Sequence, residues 1–211
     1  MITKNGKKIL FSDIQSFNNP FKYFYVKDVL SDKFVENLLT WFEETTNFIP
    51  HSSENYFKNS AFHISSTNIP ENLKEYLNYE NMYLIKNKVE QIFKTKFKNK
   101  FIVSVHRYLP GEGTSIHNDI LAIDDRDEYF FTHRFIIYIN RRWNEEDGGV
   151  LGIFGSNNPQ DLVNIIKPIN NTGVGIAFTN NAWHAVSEVS NGIRYGLHFN
   201  FVSENNKYED E

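Results

Sequence analysis

The sequence contains no cysteine and only two methionines among 211 residues. The absence of cysteine excludes disulfides and metal sites built on thiolates. Long apolar runs are also missing: residues 135–139 form one of the longest, and it has the length of a strand, far short of a membrane span. The first eight residues lack the apolar segment of a secretory signal. We therefore expect a cytoplasmic protein with no membrane association.

An excess of positive charge is absent as well. Lysine and arginine number 22 against 26 acidic residues, which gives a net charge of −4. A nucleic-acid binder usually carries a basic surface, so we expect no nucleic-acid partner. The hydrophobic fraction of 40% and the aromatic fraction of 16% are typical of a folded protein. The length favours a single domain over residues 1–211.

The first hundred residues predict a helix-rich support region with one early strand. Apolar residues recur at helical spacing in two segments, which indicates helices with one buried face. In the second of these, Lys86 and Glu90 are expected on the exposed face. The predicted elements are a strand over 21–29, a helix through 44 with Ser31 as its N-cap, an irregular stretch over 51–68, a short helix over 70–78 and a longer helix over 81–96.

From residue 101 the pattern changes to short runs rich in β-branched and aromatic residues, separated by turn-forming residues. Seven such runs predict a β-sandwich or barrel. The fold class is therefore mainly β with flanking helices (α+β), with a β-rich core over 101–203 and a polar tail over 204–211. The predicted strands cover 101–109, 131–139, 150–154, 162–166, 174–178, 185–189 and 195–202.

Four residues of this β-rich half form a candidate site. His117 and Asp119 lie two positions apart, so on a strand both side chains point to one face. A closed or sandwiched sheet such as a jelly roll would bring His184 to the same ion. Two imidazoles and one carboxylate bind Fe(II) and leave positions open for other ligands. The planar guanidinium of Arg194 suits the far carboxylate of a 2-oxo acid.

The order of motifs in this half resembles a known family. The motifs are Arg107-Tyr108-x-x-Gly111, His117-x-Asp119, Tyr138-Ile139-Asn140-x-x-Trp143, Gly148-Gly149-x-Leu151, Trp183-His184-x-Val186 and Arg194-Tyr195. The stretch over 106–202 resembles the 2-oxoglutarate/Fe(II)-dependent dioxygenases, and within them the prolyl-hydroxylase-like branch. The resemblance implies a double-stranded β-helix (jelly roll) supported by N-terminal helices. It also implies Fe(II) as metal, 2-oxoglutarate and O₂ as cosubstrates, and ascorbate as a possible further cofactor.

The resemblance also implies roles for individual residues. The iron ligands would be His117, Asp119 and His184. Arg194 would bind the distal carboxylate of 2-oxoglutarate, Tyr138 would donate its hydroxyl to that carboxylate, and Tyr108 would line the pocket. Strand alternation places further polar residues on the same inward faces. They could orient a ligand, contact substrate or serve only as hydrogen-bonded core residues, and they are His198, Asn200, Arg134 and His106.

The carboxylate of Asp119 distinguishes hydroxylation from halogenation, two reactions of the family that the sequence resembles. Halogenases of this superfamily replace it with glycine or alanine, so hydroxylation is favoured here. The implied reaction hydroxylates an unactivated C–H bond while 2-oxoglutarate is decarboxylated to succinate. A cupin-type enzyme with another ligand set is disfavoured because it does not need Arg194. A nucleic-acid demethylase is disfavoured by the charge of −4.

The substrate is left open by the sequence. The branch resemblance suggests a prolyl or other peptidyl residue, and the alternatives are a free amino acid, a small metabolite, or a non-catalytic module that senses iron and 2-oxoglutarate. Residues 120–132 contain four acidic residues around Arg126. This segment is either a lid that favours a cationic substrate or a solvated loop. No pattern predicts an oligomeric state.

Overall fold

The computed structural model describes residues 8–53, 57–120 and 131–205. Within these ranges the chain forms strands, two α-helices and short 3₁₀-helical turns. The helices are α1 (Asp32–Glu44) and α2 (Tyr79–Phe93). The strands are β1 (Ser12–Phe17), β2 (Tyr23–Lys27), β3 (Ile49–Ser52), β4 (Phe57–His63), β5 (Ile102–Tyr108), β6 (Gly113–Thr114), β7 (His133–Tyr138), β8 (Leu151–Phe154), β9 (Leu162–Ile166), β10 (Gly173–Ala177), β11 (Trp183–Val186) and β12 (Arg194–Phe201).

Two antiparallel sheets make up the β-rich part. The large sheet has the order β1-β2-β10-β7-β12-β5-β4-β3, with β6 paired to β4, and the small sheet has the order β11-β8-β9. In the centre of the large sheet, β2, β10, β7, β12 and β5 are neighbours although they are distant in the chain, as expected when a chain winds between two facing layers. This architecture confirms the predicted double-stranded β-helix with flanking helices.

Strand β12 shows how the sequence positions the layers. All eight of its residues are buried, because the strand is covered on both faces. Leu197 and Phe199 pack with the helices, and both are 0% exposed. Arg194 and His198 belong to the alternate set, which faces the small sheet. One strand thus carries the helix-packed core and the site.

Two apolar cores lie on the two faces of the large sheet. The outer core joins the sheet to the helices through side chains such as Phe34 and Leu38 of α1 and Val89 of α2. Burying each such side chain contributes roughly 1.5–3 kcal/mol. The inner core lies between the sheets and is completed by residues that include Tyr108, Ile136, Tyr138, Leu151, Ile153 and Val174.

The prediction of an irregular stretch over 51–68 was wrong. Strand β4 occupies most of it and pairs with β5, with Ala61 opposite His106 and Phe62 opposite Val105. Strand β3 pairs with β4 on its other side. Both strands contain polar residues and little apolar alternation, so the sequence pattern did not indicate them.

The prediction of a helix over 70–78 was also wrong. Only Glu71–Leu73 form a 3₁₀ turn. The side chain of Asn81 donates to the carbonyls of Glu75 and Tyr76 at 3.1 and 3.0 Å, which removes them from helix continuation. Asn78 then caps α2 by accepting from Asn81 N at 2.9 Å.

Lys86 and Glu90 were expected on the exposed face of α2, and this was wrong. Their side chains are each 5% exposed and form an ion pair of 2.6 Å. Glu90 Oε1 also accepts from the backbone N–H of Phe97 at 2.8 Å. The carboxylate is buried because it caps the chain that leaves the helix. Neither described helix is long and apolar enough to span a bilayer.

Candidate active site

His117 and His184 are held side by side by their backbones. His117 N donates to His184 O at 3.0 Å, and His184 N donates to His117 O at 2.9 Å. Each Nδ1 lies 2.9 Å from a carbonyl oxygen two residues earlier, that of Ser115 for His117 and that of Ala182 for His184. These contacts hold each ring by Nδ1 and turn Nε2 of each toward Asp119.

Asp119 lies in a turn and not on a strand, so the expected strand alternation does not bring it to His117. The turn is fixed by Asn118, which is 1% exposed. Asn118 Oδ1 accepts from Ile120 N at 3.0 Å, and its Nδ2 donates to Thr179 O at 2.9 Å. Such side-chain contacts replace a backbone turn bond. The turn directs the Asp119 carboxylate between the two imidazoles.

The three side chains form a cluster that suits a metal. One ligand atom from each of His117, Asp119 and His184 lies within 4.8 Å of the other two. Asp119 Oδ2 is 3.4 Å from His184 Nε2, and Oδ1 is 4.0 Å from His117 Nε2. Two imidazoles and a carboxylate match the facial ligand set of non-haem Fe(II) oxygenases. The donor set therefore fits iron.

The protonation states also suit metal binding. Burial, together with the nearby His184, lowers the pKa of His117 to about 4. Burial tends to raise the pKa of Asp119, but Arg134 and His184 outweigh it and hold that pKa well below its usual range. His117 is therefore neutral and Asp119 ionised at neutral pH, which are the forms that coordinate metals.

Arg134 connects the carboxylate to the large sheet. Its Nη1 donates to Asp119 Oδ2 at 2.9 Å, and its Nε donates to Asn200 Oδ1 at 2.8 Å. Arg134 and Asn200 stand opposite each other in the pairing of β7 with β12. Both were predicted as inward residues, and the structure places both behind Asp119.

Arg194 lies between two tyrosines. Its guanidinium carbon is 4.8 Å from the ring centre of Tyr108 and 5.0 Å from that of Tyr138. Arg194 is 3% exposed, and a glycine at 149 makes room for it, since a Cβ there would lie 3.0 Å from Arg194 Cδ. Asn59 Nδ2 donates to the Tyr108 hydroxyl at 3.2 Å.

Among the described residues, none hydrogen-bonds to the three guanidinium nitrogens of Arg194 or to the hydroxyl of Tyr138. A buried charge without a partner lowers the stability of the folded protein by roughly several kcal/mol. A bound carboxylate would remove that cost. Burial raises the pKa of Tyr138, so its phenol stays protonated and can donate. These unpartnered groups fit the distal carboxylate of 2-oxoglutarate.

His106 and His198 form a stacked pair beyond Arg194. Their ring centres are 4.0 Å apart and their planes differ by 14°. His106 Nε2 lies 3.1 Å from Ser104 Oγ. Within the described part of the chain, His106 Nδ1 and both nitrogens of His198 have no partner. The absence of a side chain at Gly196 admits the ring of His198, because a Cβ there would lie 2.7 Å from His198 Nε2.

Sequence reasoning missed Asn59 and Asn118, which hold the site from behind. Asn118 carried a signal, because asparagine between two ligands favours a side-chain turn. Asn59 carried none, since it lies on a strand that the pattern did not predict. Gly148 and Gly149 of the motif both have φ of 67°, a conformation that favours glycine. Of the acidic segment 120–132, residues 121–130 lie outside the described residues.

Comparisons with known proteins agree with this geometry. The sequence model of the 2OG-Fe(II) oxygenase superfamily, a protein family, matches residues 103–202. This part of the chain carries His117, Asp119, His184 and Arg194. No curated protein matches the chain significantly.

Solved structures of prolyl hydroxylases share the fold. A prolyl-4-hydroxylase from Pseudomonas putida is 19% identical with a TM-score of 0.66, and the match covers 85% of this chain and 91% of that one. A prolyl hydroxylase from Trichoplax adhaerens, solved with a hypoxia inducible factor peptide fragment, is 16% identical with a TM-score of 0.69 over 87% and 84%. A viral collagen prolyl hydroxylase from Paramecium Bursaria Chlorella virus-1, solved with 2OG, is 16% identical with a TM-score of 0.59 over 85% and 94%.

Proposed function

We propose that this 2-oxoglutarate/Fe(II)-dependent dioxygenase, which has a prolyl-hydroxylase-like fold, hydroxylates an unactivated C–H bond and releases succinate and CO₂. The observation that carries the proposal is the position of the His117, Asp119 and His184 cluster, whose ligand atoms lie within 4.8 Å of one another. His184 lies on β11 of the small sheet, and Asp119 is hydrogen-bonded to Arg134 of the large sheet, whose strand β12 carries the buried, unpaired Arg194.

His117, Asp119 and His184 would hold the iron. When bound, Fe(II) supplies the oxidising chemistry with O₂ and 2-oxoglutarate, which no side chain of this protein provides. The chain's own contribution is orientation. The paired backbones of His117 and His184 fix two ligands, and Arg134 fixes the third.

Arg194 and Tyr138 would bind the distal carboxylate of the cosubstrate. Their burial, 3% and 0% exposed, keeps water away from this ion pair and strengthens it. Tyr108 closes one side of the pocket and is itself held by Asn59. The carboxylate of Asp119 supports hydroxylation, because a halogenase would leave that position to the halide.

The substrate belongs to the proposal too. A prolyl or other peptidyl residue is favoured by the fold, and the Trichoplax adhaerens neighbour holds a peptide fragment. A free amino acid or small metabolite is the second candidate. A sensor that binds iron and 2-oxoglutarate without turnover is the third, although the intact ligand set gives it no support.

Succinate production tests the proposal. The protein is loaded anaerobically with Fe(II) and 2-oxoglutarate, exposed to air with peptides and metabolites, and assayed for succinate and for products heavier by one oxygen. His184→Ala and Asp119→Ala should abolish succinate production. Asp13→Ala, which changes an exposed aspartate paired with Lys27, is the matched control. Substrate-stimulated turnover retained in either ligand variant contradicts the proposal, and bound 2-oxoglutarate without succinate in the wild type favours the sensor.

A further inference from the structure

The inner face of the large sheet continues beyond the candidate active site onto β5, β4 and β3. Strand register aligns its side chains in rows: Ile49 is opposite Ala61, and Ala61 is opposite His106. In the adjacent rows His51 is opposite Asn59, and His63 is opposite Ser104. These residues line a cavity of about 550 Å³, which we call the β3–β5 groove. A cavity of this size can hold a small molecule or a short peptide segment.

The groove leads to the residues of the active site. Asn59 in its wall donates to the hydroxyl of Tyr108 at 3.2 Å, and Tyr108 contacts Arg194. His106, also in its wall, stacks on His198 at 4.0 Å. A molecule in the groove would therefore lie beside the cosubstrate pocket.

The titratable side chains that line the groove, among the described residues, are histidines. Within residues 8–53, 57–120 and 131–205, the lining includes His51, His63 and His106 and neither aspartate nor glutamate. The pKa of His106 is lowered to about 3 by its enclosure and by Arg134, Arg194, His51 and His63. Arg134 and Arg194, whose positive charges disfavour a cation at His106, would attract an anion.

The end of the groove also has polar atoms that need partners. His198 is 4% exposed; neither of its ring nitrogens, nor Nδ1 of His106, is hydrogen-bonded to any residue in the ranges that the structure describes. Leaving a buried polar group unpaired costs roughly 1–3 kcal/mol. A neutral imidazole can donate one hydrogen bond, and a carboxylate oxygen accepts it.

We propose that the β3–β5 groove binds the substrate of this enzyme through a carboxylate, which His106 and His198 receive at the inner end. His63 and His51 extend the binding site toward solvent. The apolar part of the substrate packs on Ile49, which is 61% exposed, and on Phe57. This inference rests on the proposed function and specifies its substrate class. The carboxylate belongs either to a free amino acid or to an acidic side chain of a peptide.

Binding is tested with a metal that does not turn over. Zn(II) takes histidine and carboxylate ligands, and saturating 2-oxoglutarate occupies Arg194. The probes are two matched pairs: N-acetylphenylalanine with its amide, and N-acetyl-Ala-Glu-Ala-amide with its Gln counterpart. Histidine ring NMR signals report binding. In at least one pair the carboxylate should bind about ten-fold more tightly than the amide, as expected for charge-assisted hydrogen bonds.

Two variants locate the carboxylate. His63→Gln and His106→Asn should each raise the Kd of the carboxylate probe at least several-fold while leaving the Kd of its amide unchanged. Lys33→Gln, on the exposed surface of α1, is the control and should change neither. The pair that shows the preference identifies the source of the carboxylate. Equal affinities within both pairs, or variants that leave the carboxylate's Kd unchanged, overturn the inference.

The succinate assay separates the two proposals. Succinate formation without a carboxylate preference rejects the groove assignment and keeps the oxygenase reaction. A carboxylate preference in the Zn(II) form without succinate from the Fe(II) form rejects the reaction and keeps the binding site.

Discussion

Arg134 donates a hydrogen bond from Nη1 to Oδ2 of Asp119 at 2.9 Å, which ties a proposed iron ligand to the middle of the large sheet. The second donor of this arginine, Nε, binds Asn200 on the adjacent strand. The position of the carboxylate is thus set by two strands as well as by its own turn. Residues that orient a ligand in this way affect metal affinity although they do not touch the metal.

Arg134→Met is therefore expected to weaken Fe(II) binding. The side chain keeps its approximate length but loses both donors, and the expected loss is roughly 10–100-fold in metal affinity. Anaerobic titration with Fe(II) measures it. Arg141→Met, which removes an exposed arginine paired with Glu43, is the control. An unchanged Fe(II) affinity in Arg134→Met would show that the Asp119 turn is sufficient.

Arg194→Met should raise the KM for 2-oxoglutarate. Truncating one partner of a buried charge pair costs roughly 2–5 kcal/mol, which corresponds to at least ~30-fold. The KM of Arg194→Lys should lie between those of Arg194→Met and the wild type, since lysine keeps the charge and loses the bidentate geometry. Steady-state kinetics with 2-oxoglutarate as the varied reactant test both. A KM unchanged in Arg194→Met would exclude this residue from the cosubstrate pocket.

Tyr138→Phe should have opposite effects on stability and on binding. Without cosubstrate the buried hydroxyl has no partner among the described residues, so its removal should raise the free energy of unfolding, by about 1 kcal/mol. With cosubstrate the variant loses a hydrogen bond, and the KM for 2-oxoglutarate should rise several-fold. Urea denaturation and kinetics are the two measurements. A destabilised variant with an unchanged KM would assign the hydroxyl a structural role.

The free energy of unfolding of the metal-free protein should decrease as pH is lowered, over a pH range set partly by His106. Its pKa is lowered from 6.5 to about 3 in the folded protein. Between these values the unfolded chain binds a proton that the folded chain does not, so the free energy of unfolding decreases as pH falls. In His106→Phe the free energy of unfolding should depend less steeply on pH, by an amount that corresponds to about one proton. Urea midpoints from pH 7 to pH 4 test it, and parallel slopes for the two proteins would contradict it.

Much of the site follows from the sequence because its chemistry is tied to residue type. His117, Asp119 and His184 are recognisable as a ligand set by composition and order alone. The alternation along β12 correctly separates Arg194 and His198 from Leu197 and Phe199, because that strand is covered on both faces. In these places local pattern and tertiary environment agree.

The remainder depends on contacts between distant segments. Asp119 reaches His117 and His184 through a turn in which Asn118 is hydrogen-bonded to Thr179. No sequence pattern near Asp119 predicts that partner. Strand β4 forms because β5 offers it backbone hydrogen bonds, and β3 pairs in turn with β4, whereas the residues of both strands have little apolar alternation. Asn59 and His63, two of the polar residues of β4, line the groove, so the failed prediction overlaps the surface to which we assign substrate binding.

The reciprocal backbone pairing of His117 and His184 has a consequence for how the protein acquires its metal. The two backbones are paired, and each Nδ1 lies 2.9 Å from a main-chain carbonyl oxygen, so folding aligns the imidazoles before any ion binds. In small zinc domains, by contrast, metal binding and folding are one event. Here a chelator should strip the metal and leave the far-UV circular dichroism unchanged, and loading should be repeatable on the same folded molecules. The protein can thus fold first and bind iron later.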